Sequence, residues 1–134
     1  MIDTKILDRV TNDPYAKFLG IKVEEVKEGY AKASIVITED LLNIHQTVNG
    51  GVIFSLADVV FAIASNTYDQ TAVGINVNIN YMSAAFLNDK LTAVAKEVHK
   101  NPRLGFYHME VKNEKNELIA TAEGMVYRKK KSSQ

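Results

Sequence analysis

Two features of this sequence could do chemistry together. One is Asp58, a lone carboxylate within the apolar run 52–64. The other is Asn49-Gly50-Gly51, which stands just before that run. A charged carboxylate in an enclosed apolar helix costs several kcal/mol unless it is paired, hydrogen-bonded or placed at a cleft that water reaches. An ordinary acid on a partly exposed stripe, or one tied to a structural arginine, would account for Asp58 taken alone. The glycine pair adds a second element. A helix that starts there presents unpaired N–H groups and a positive dipole end, a site for anions or for a developing oxyanion. Glycines at such a start let a substrate approach the backbone closely.

Spacing constrains how the two could cooperate. Gly50 and Asp58 are eight residues apart, about 12 Å along a helix axis at 1.5 Å per residue. A carbonyl held at Gly50 is out of reach of Asp58 in the same helix. If both act on one substrate, they come from two subunits with antiparallel helices, and the site lies at a dimer interface.

These residues must be positioned by the elements around them. Asn49 stands where an N-cap belongs, and the helix is expected to run to about Asn66. It is apolar nearly all round and is expected to be enclosed. Residues 4–10 fit a short amphipathic helix, followed by a turn at Asn12-Asp13-Pro14. Strands are expected over 21–27 and 30–38, joined at Glu28-Gly29. Residues 41–48 read as a loop. After the helix come strands over 75–81, 90–98, 104–112 and 118–128, at the spacing of antiparallel hairpins. In the first of these, Ile75, Val77, Ile79 and Tyr81 alternate with Asn76, Asn78 and Asn80. The fold class is α+β, an antiparallel sheet wrapped around one long central helix in a single domain, 1–134. The leftover sheet face invites the pairing of two copies. The tail from about residue 129 reads as basic and frayed, with Arg128 to Lys131 a solvated run.

Composition narrows the class. Sixteen basic residues balance sixteen acidic ones, so no global field favours nucleic acid or an anionic membrane. There is no cysteine, which excludes disulfides, thiolate metal sites and a cysteine nucleophile. His45, His99 and His108 are too scattered for a metal cluster. Ser55 and Ser65 lack the Gly-x-Ser-x-Gly context of a serine hydrolase, and Gly50-Gly51 falls short of a nucleotide loop. The apolar run is too short to span a membrane. The N-terminus lacks the apolar run of a signal peptide, so a cytoplasmic protein is expected. Phe54 and Phe61, a helical seven apart, read first as core.

Asn43-Ile44-His45-Gln46-Thr47-Val48-Asn49-Gly50-Gly51, followed by Leu56-Ala57-Asp58, resembles the signature N-x(5)-H-G-G-x(4)-L-A-D of hotdog-fold thioesterases of the phenylacetate-degradation PaaI type. The resemblance runs through Phe61-Ala62 and the strand ending at Tyr81 to the segment Ala120-Thr121-Ala122-Glu123-Gly124. It implies a hotdog fold, hydrolysis of acyl-CoA thioesters, and a homodimer or homotetramer. No cofactor is implied, because CoA is part of the substrate. It also implies Asp58 as nucleophile or general base, Gly50 as the N–H that polarises the thioester carbonyl, and Asn43 as the loop amide that orients substrate or water. Asn49, Gly51 and Phe61 fall where substrate contacts are implied.

The chain departs from the signature at Asn49, which replaces a histidine. Asparagine keeps the cap and can donate a hydrogen bond, but it cannot titrate. A non-catalytic acyl-CoA-binding protein is therefore the main alternative, ahead of a hydratase. Ser83-Ala84, where relatives carry a basic residue and proline, leaves the CoA phosphate contacts undefined.

Overall fold

The computed structural model describes residues 2–130; the last part of the basic tail lies outside them. Six strands form one sheet: β1 (Lys22–Lys27), β2 (Tyr30–Val36), β3 (Ala72–Tyr81), β4 (Lys90–Lys100), β5 (Leu104–Lys112) and β6 (Leu118–Arg128). Their order is β1-β2-β4-β5-β6-β3, and every pairing is antiparallel. Two short helices, α1 (Thr4–Val10) and α2 (Pro14–Leu19), precede the sheet, and α3 (Gly50–Ser65) lies against its inner face. Among the described residues no helix is long and apolar enough to cross a membrane.

The sheet accepts α3 because its centre is lined with small side chains. Ala31 faces Ala95 and Ala33 faces Ala93 across β2 and β4, and all four are fully buried. Leu56, Ala57, Val60 and Ala64 of α3 are fully buried with them. Alternating apolar positions along β5 and β6, such as Met109, Val111, Ala120 and Ala122, extend this floor.

Three expectations are corrected. The segment after Asn12 is a helix rather than a bare turn. Asp13 caps α2 by accepting from the Tyr15 and Ala16 amides, Pro14 opens it, and Gly20 closes it at φ 88°. Second, α3 is enclosed on all but one stripe, where Gly51, Asp58 and Ala62 stay exposed. Third, Arg128 is not part of a solvated run: it is fully buried at the end of β6. Its Nη1 donates to Ser65 O at 3.0 Å, so a cation sits on the negative end of α3. Tyr107 accepts from Nη2 and donates to Glu97, while the Tyr68 ring lies 5.1 Å from the guanidinium. Burial and the adjacent Glu97 push the Tyr68 hydroxyl up to about 12. Even Lys129 is tied down, its amide donating to Thr71 O.

β3 is an edge strand, paired only with β6. It starts at Ala72, and a bulge between Gly74 and Asn76 breaks its early alternation. Val77 and Ile79 still turn towards the core.

Phe61 locks the sheet to the helix. Its ring meets Tyr107 edge-on, with centroids 5.8 Å apart, and fills the space over Gly124, where an added Cβ would lie 2.6 Å from it. Gly124→Ala is expected to destabilise the fold by about 1–3 kcal/mol through this overlap. Urea unfolding of parent and variant checks the value.

Candidate active site

The site is built on the open stripe of α3. Asp58 lines a groove of about 400 Å³ with Phe61, Ala62 and Ser65 of α3 and with Ala72, Gly74, Ile75, Asn76 and Val77 from the start of β3. Among the described residues no ion pair or side-chain hydrogen bond engages its carboxylate. Burial raises the Asp58 pKa above the ordinary aspartate value, and the negative charge of Asp13 raises it further. In a single chain the residue is nonetheless exposed. Asp58 is thus a water-reachable carboxylate with enhanced basicity, not an acid consumed by a structural partner.

The start of α3 offers the complementary group. Asn49 caps the helix, its Oδ1 accepting from the Gly51 amide at 2.8 Å. The Val52 and Ile53 amides reach Asn49 O. That leaves the Gly50 N–H, which has no acceptor among the described residues, at the positive end of the helix. Tyr81, at the end of β3, donates its hydroxyl to Gly50 O at 2.9 Å and holds this turn in place.

Asn43 organises the preceding loop. Its Oδ1 accepts from the His45 and Thr47 amides, and its Nδ2 donates to Thr47 Oγ1 at 2.9 Å. One amide hydrogen remains free for a ligand. Asn43, Asn49, Gly50 and Gly51 therefore gather at one end of α3, while Asp58 lies about two turns on and Phe61 about three. Within one chain the structure does not bring the two groups together. Phe61 is 2% exposed, a core residue whose edge also lines the Asp58 groove.

The other candidates are structural. Ser55 donates to Gly51 O and Ser65 to Phe61 O, each one turn back along α3. His108 pairs with Glu110, and His99 lies against Phe106. Sequence reasoning passed over Asp13, Tyr15 and Tyr81. The signal for the first two was present in Asp13-Pro14 with Gly20, a cap, a first-turn proline and a terminating glycine.

A sheet wrapped around one apolar helix defines a hotdog fold, and the carboxylate on that helix and the free amide at its start make its candidate site. The thioesterase superfamily profile matches residues 45–120. A putative esterase of Archaeoglobus fulgidus is 48% identical over 117 residues, covering 87% of this chain and 76% of the relative. The acyl-coenzyme A thioesterase PaaI of Escherichia coli is 37% identical over 117 residues, covering 87% of this chain and 84% of the relative. The solved structure of the E. coli PaaI protein from the phenylacetic acid degradation operon superposes with a TM-score of 0.91 at 32% identity, covering 98% of both chains. The chain belongs to the thioesterase superfamily and is a hotdog-fold thioesterase of the PaaI type.

The raised Asp58 pKa has a consequence for stability. The folded protein holds the Asp58 proton more tightly than the unfolded chain does, so stability falls as pH rises through the interval between the two pKa values. Above that interval the ionised group disfavours folding. Asp58→Asn is expected to be more stable than the parent at pH 7. The gain should shrink as pH drops through the carboxylate range and vanish below the ordinary aspartate pKa. Urea midpoints measured at stepped pH check this.

Proposed function

We propose that the chain hydrolyses acyl-CoA thioesters to the free carboxylic acid and CoA, as a cytoplasmic homodimer or a homotetramer built from dimers. The observation that carries this is the unpartnered, basic Asp58 carboxylate on the floor of a groove, in a chain of thioesterase ancestry. A thioester is an activated acyl group, so a carboxylate and one or two hydrogen-bond donors suffice, with no metal or cofactor.

In the general-base route, Asp58 takes a proton from water as the water oxygen bonds to the thioester carbon. The carbonyl oxygen becomes an oxyanion that accepts from the Gly50 N–H of the partner subunit. The oxyanion then collapses, the C–S bond breaks, and the CoA thiolate takes the proton back from Asp58. In the nucleophilic route, Asp58 itself bonds to the carbonyl carbon and expels CoA thiolate, and water cleaves the resulting anhydride. Both routes use the same two groups. Asn43 supplies its free amide hydrogen to substrate or water, Asn49 and Gly51 border the carbonyl, and Phe61 lines the acyl end.

The open edge of β3 supports the dimer. Backbone groups on that edge are unpaired, and Ile75 and Tyr81 are more than half exposed along the strand. Edge-to-edge pairing about a twofold axis runs the sheet through both subunits and sets the two α3 helices antiparallel. One helix start then lies beside the other subunit's Asp58.

The test is thiol release from a panel of acyl-CoA thioesters. Asp58→Ala is expected to lower kcat on the best substrate by about 100-fold or more, the scale of a lost general base. Retention of the parental rate on every thioester overturns the assignment. Acyl-CoA binding without thiol release by the parent would mark a binding protein, the reading that Asn49 raises.

A further inference from the structure

Asp58 stands on α3 between two unlike neighbours, the start of β3 and the helix α2. At 100° per residue, Ser55 and Phe61 project on opposite sides of Asp58, each about 60° away around the helix. The Phe61 side is walled by the start of β3, which shares the groove with Asp58. The Ser55 side is walled by α2. Tyr15 OH lies 3.0 Å from Ser55 Oγ, and Asp13 is near enough to Asp58 to raise its pKa. Tyr15 is 54% exposed, so one face of its ring is open although its hydroxyl is anchored.

Proton accounting fixes the sense of that anchor. Ser55 has one hydroxyl proton and gives it to Gly51 O at 2.8 Å. Tyr15 must therefore donate to Ser55. The bond ties the ring to the second turn of α3, one turn before Asp58, and the Ser55 side chain is itself buried. A half-exposed aromatic ring held in this way is a fixed apolar wall rather than a free surface side chain.

We propose that Tyr15 sets the breadth of the acyl group accepted at Asp58, with Ser55 as the residue that positions it. The proposal rests on the acyl-CoA reading above. Linear acyl chains fit between the Tyr15 ring and the β3 wall. Groups broad at the carbonyl, branched or aryl, press on the ring. Truncating Tyr15 widens the space on the α2 side only and leaves Asp58 and Gly50 in place.

The test measures calorimetric Kd values for butyryl-CoA and benzoyl-CoA in an Asp58→Asn background, where turnover does not interfere. Tyr15→Ala is expected to shift the Kd ratio towards benzoyl-CoA by at least about tenfold, the discrimination that a hydrocarbon-sized change in a pocket provides. Tyr15→Phe and Ser55→Ala each keep the ring and remove the same anchor, so their ratios should match one another and fall between those of the background and Tyr15→Ala. A Kd ratio unchanged in Tyr15→Ala, with the fold intact by thermal melting, overturns the proposal and leaves hydrolysis by the parent untouched. Thiol release absent from the parent overturns the hydrolytic reading alone, because the Kd ratios still report on Tyr15. No binding of either thioester to any variant overturns both.

Discussion

A helix of sixteen residues cannot bring its Asp58 carboxylate and its Gly50 amide together. With Asp58 eight residues after Gly50, the carboxylate and the free amide stay about 12 Å apart. The packing that makes α3 rigid is the same packing that holds the fold together. Leu56, Ala57, Val60 and Ala64 are fully buried against a sheet floored with alanine. Any shift of α3 that shortened the distance would open that core. The proposed chemistry therefore needs a second chain, and the unpaired edge of β3 is where one can be added.

Both ends of the helix are managed, in opposite ways. At the C-terminal end, the buried Arg128 guanidinium meets Ser65 O and quenches the negative pole. Asn66 and Thr67 take further carbonyls of the last turn. At the N-terminal end Asn49 satisfies one amide and leaves the Gly50 N–H open. The helix is thus closed at its C-terminal end and open at its N-terminal end, where the proposed oxyanion would sit. Asp58 follows a similar logic. Burial and Asp13 raise its pKa at a cost to stability, the kind of local cost that active sites carry and that a core rich in small, well-packed side chains offsets.

Much of this was legible in the sequence. The hairpin spacing of 104–112 and 118–128 and the Asn49 cap gave the hairpins and the helix start nearly to the residue. Asp58 stood out because an apolar helix rarely tolerates a charge. Less legible was anything decided by packing between distant segments. Arg128 follows a strand and precedes lysines, so its neighbours read as a solvated tail; its burial depends on Ser65, Tyr107, Glu97 and Tyr68, which are far away in sequence. The open stripe along Gly51, Asp58 and Ala62 was hidden for the same reason. Those residues look enclosed in a hydropathy pattern, and only the placement of α2 and β3 leaves them uncovered. The helix α2 was overlooked although its cap, proline and glycine were all present, because six residues give too little periodicity to register against a turn.

The central claim is that each site takes Asp58 from one chain and Gly50 from the other. Subunit complementation tests it most directly. Asp58→Ala removes the carboxylate. Gly50→Pro removes the amide hydrogen at a first-turn position where proline suits a helix, and Asn49 already has the extended backbone (φ −59°, ψ 131°) that precedes a proline. Each variant alone should be nearly inactive. Unfolding and refolding an equal mixture should restore about one quarter of the parental thioesterase rate, since half the random dimers are hybrids and each hybrid has one intact site. No recovery in hybrid dimers confirmed by mass would contradict a site shared between chains.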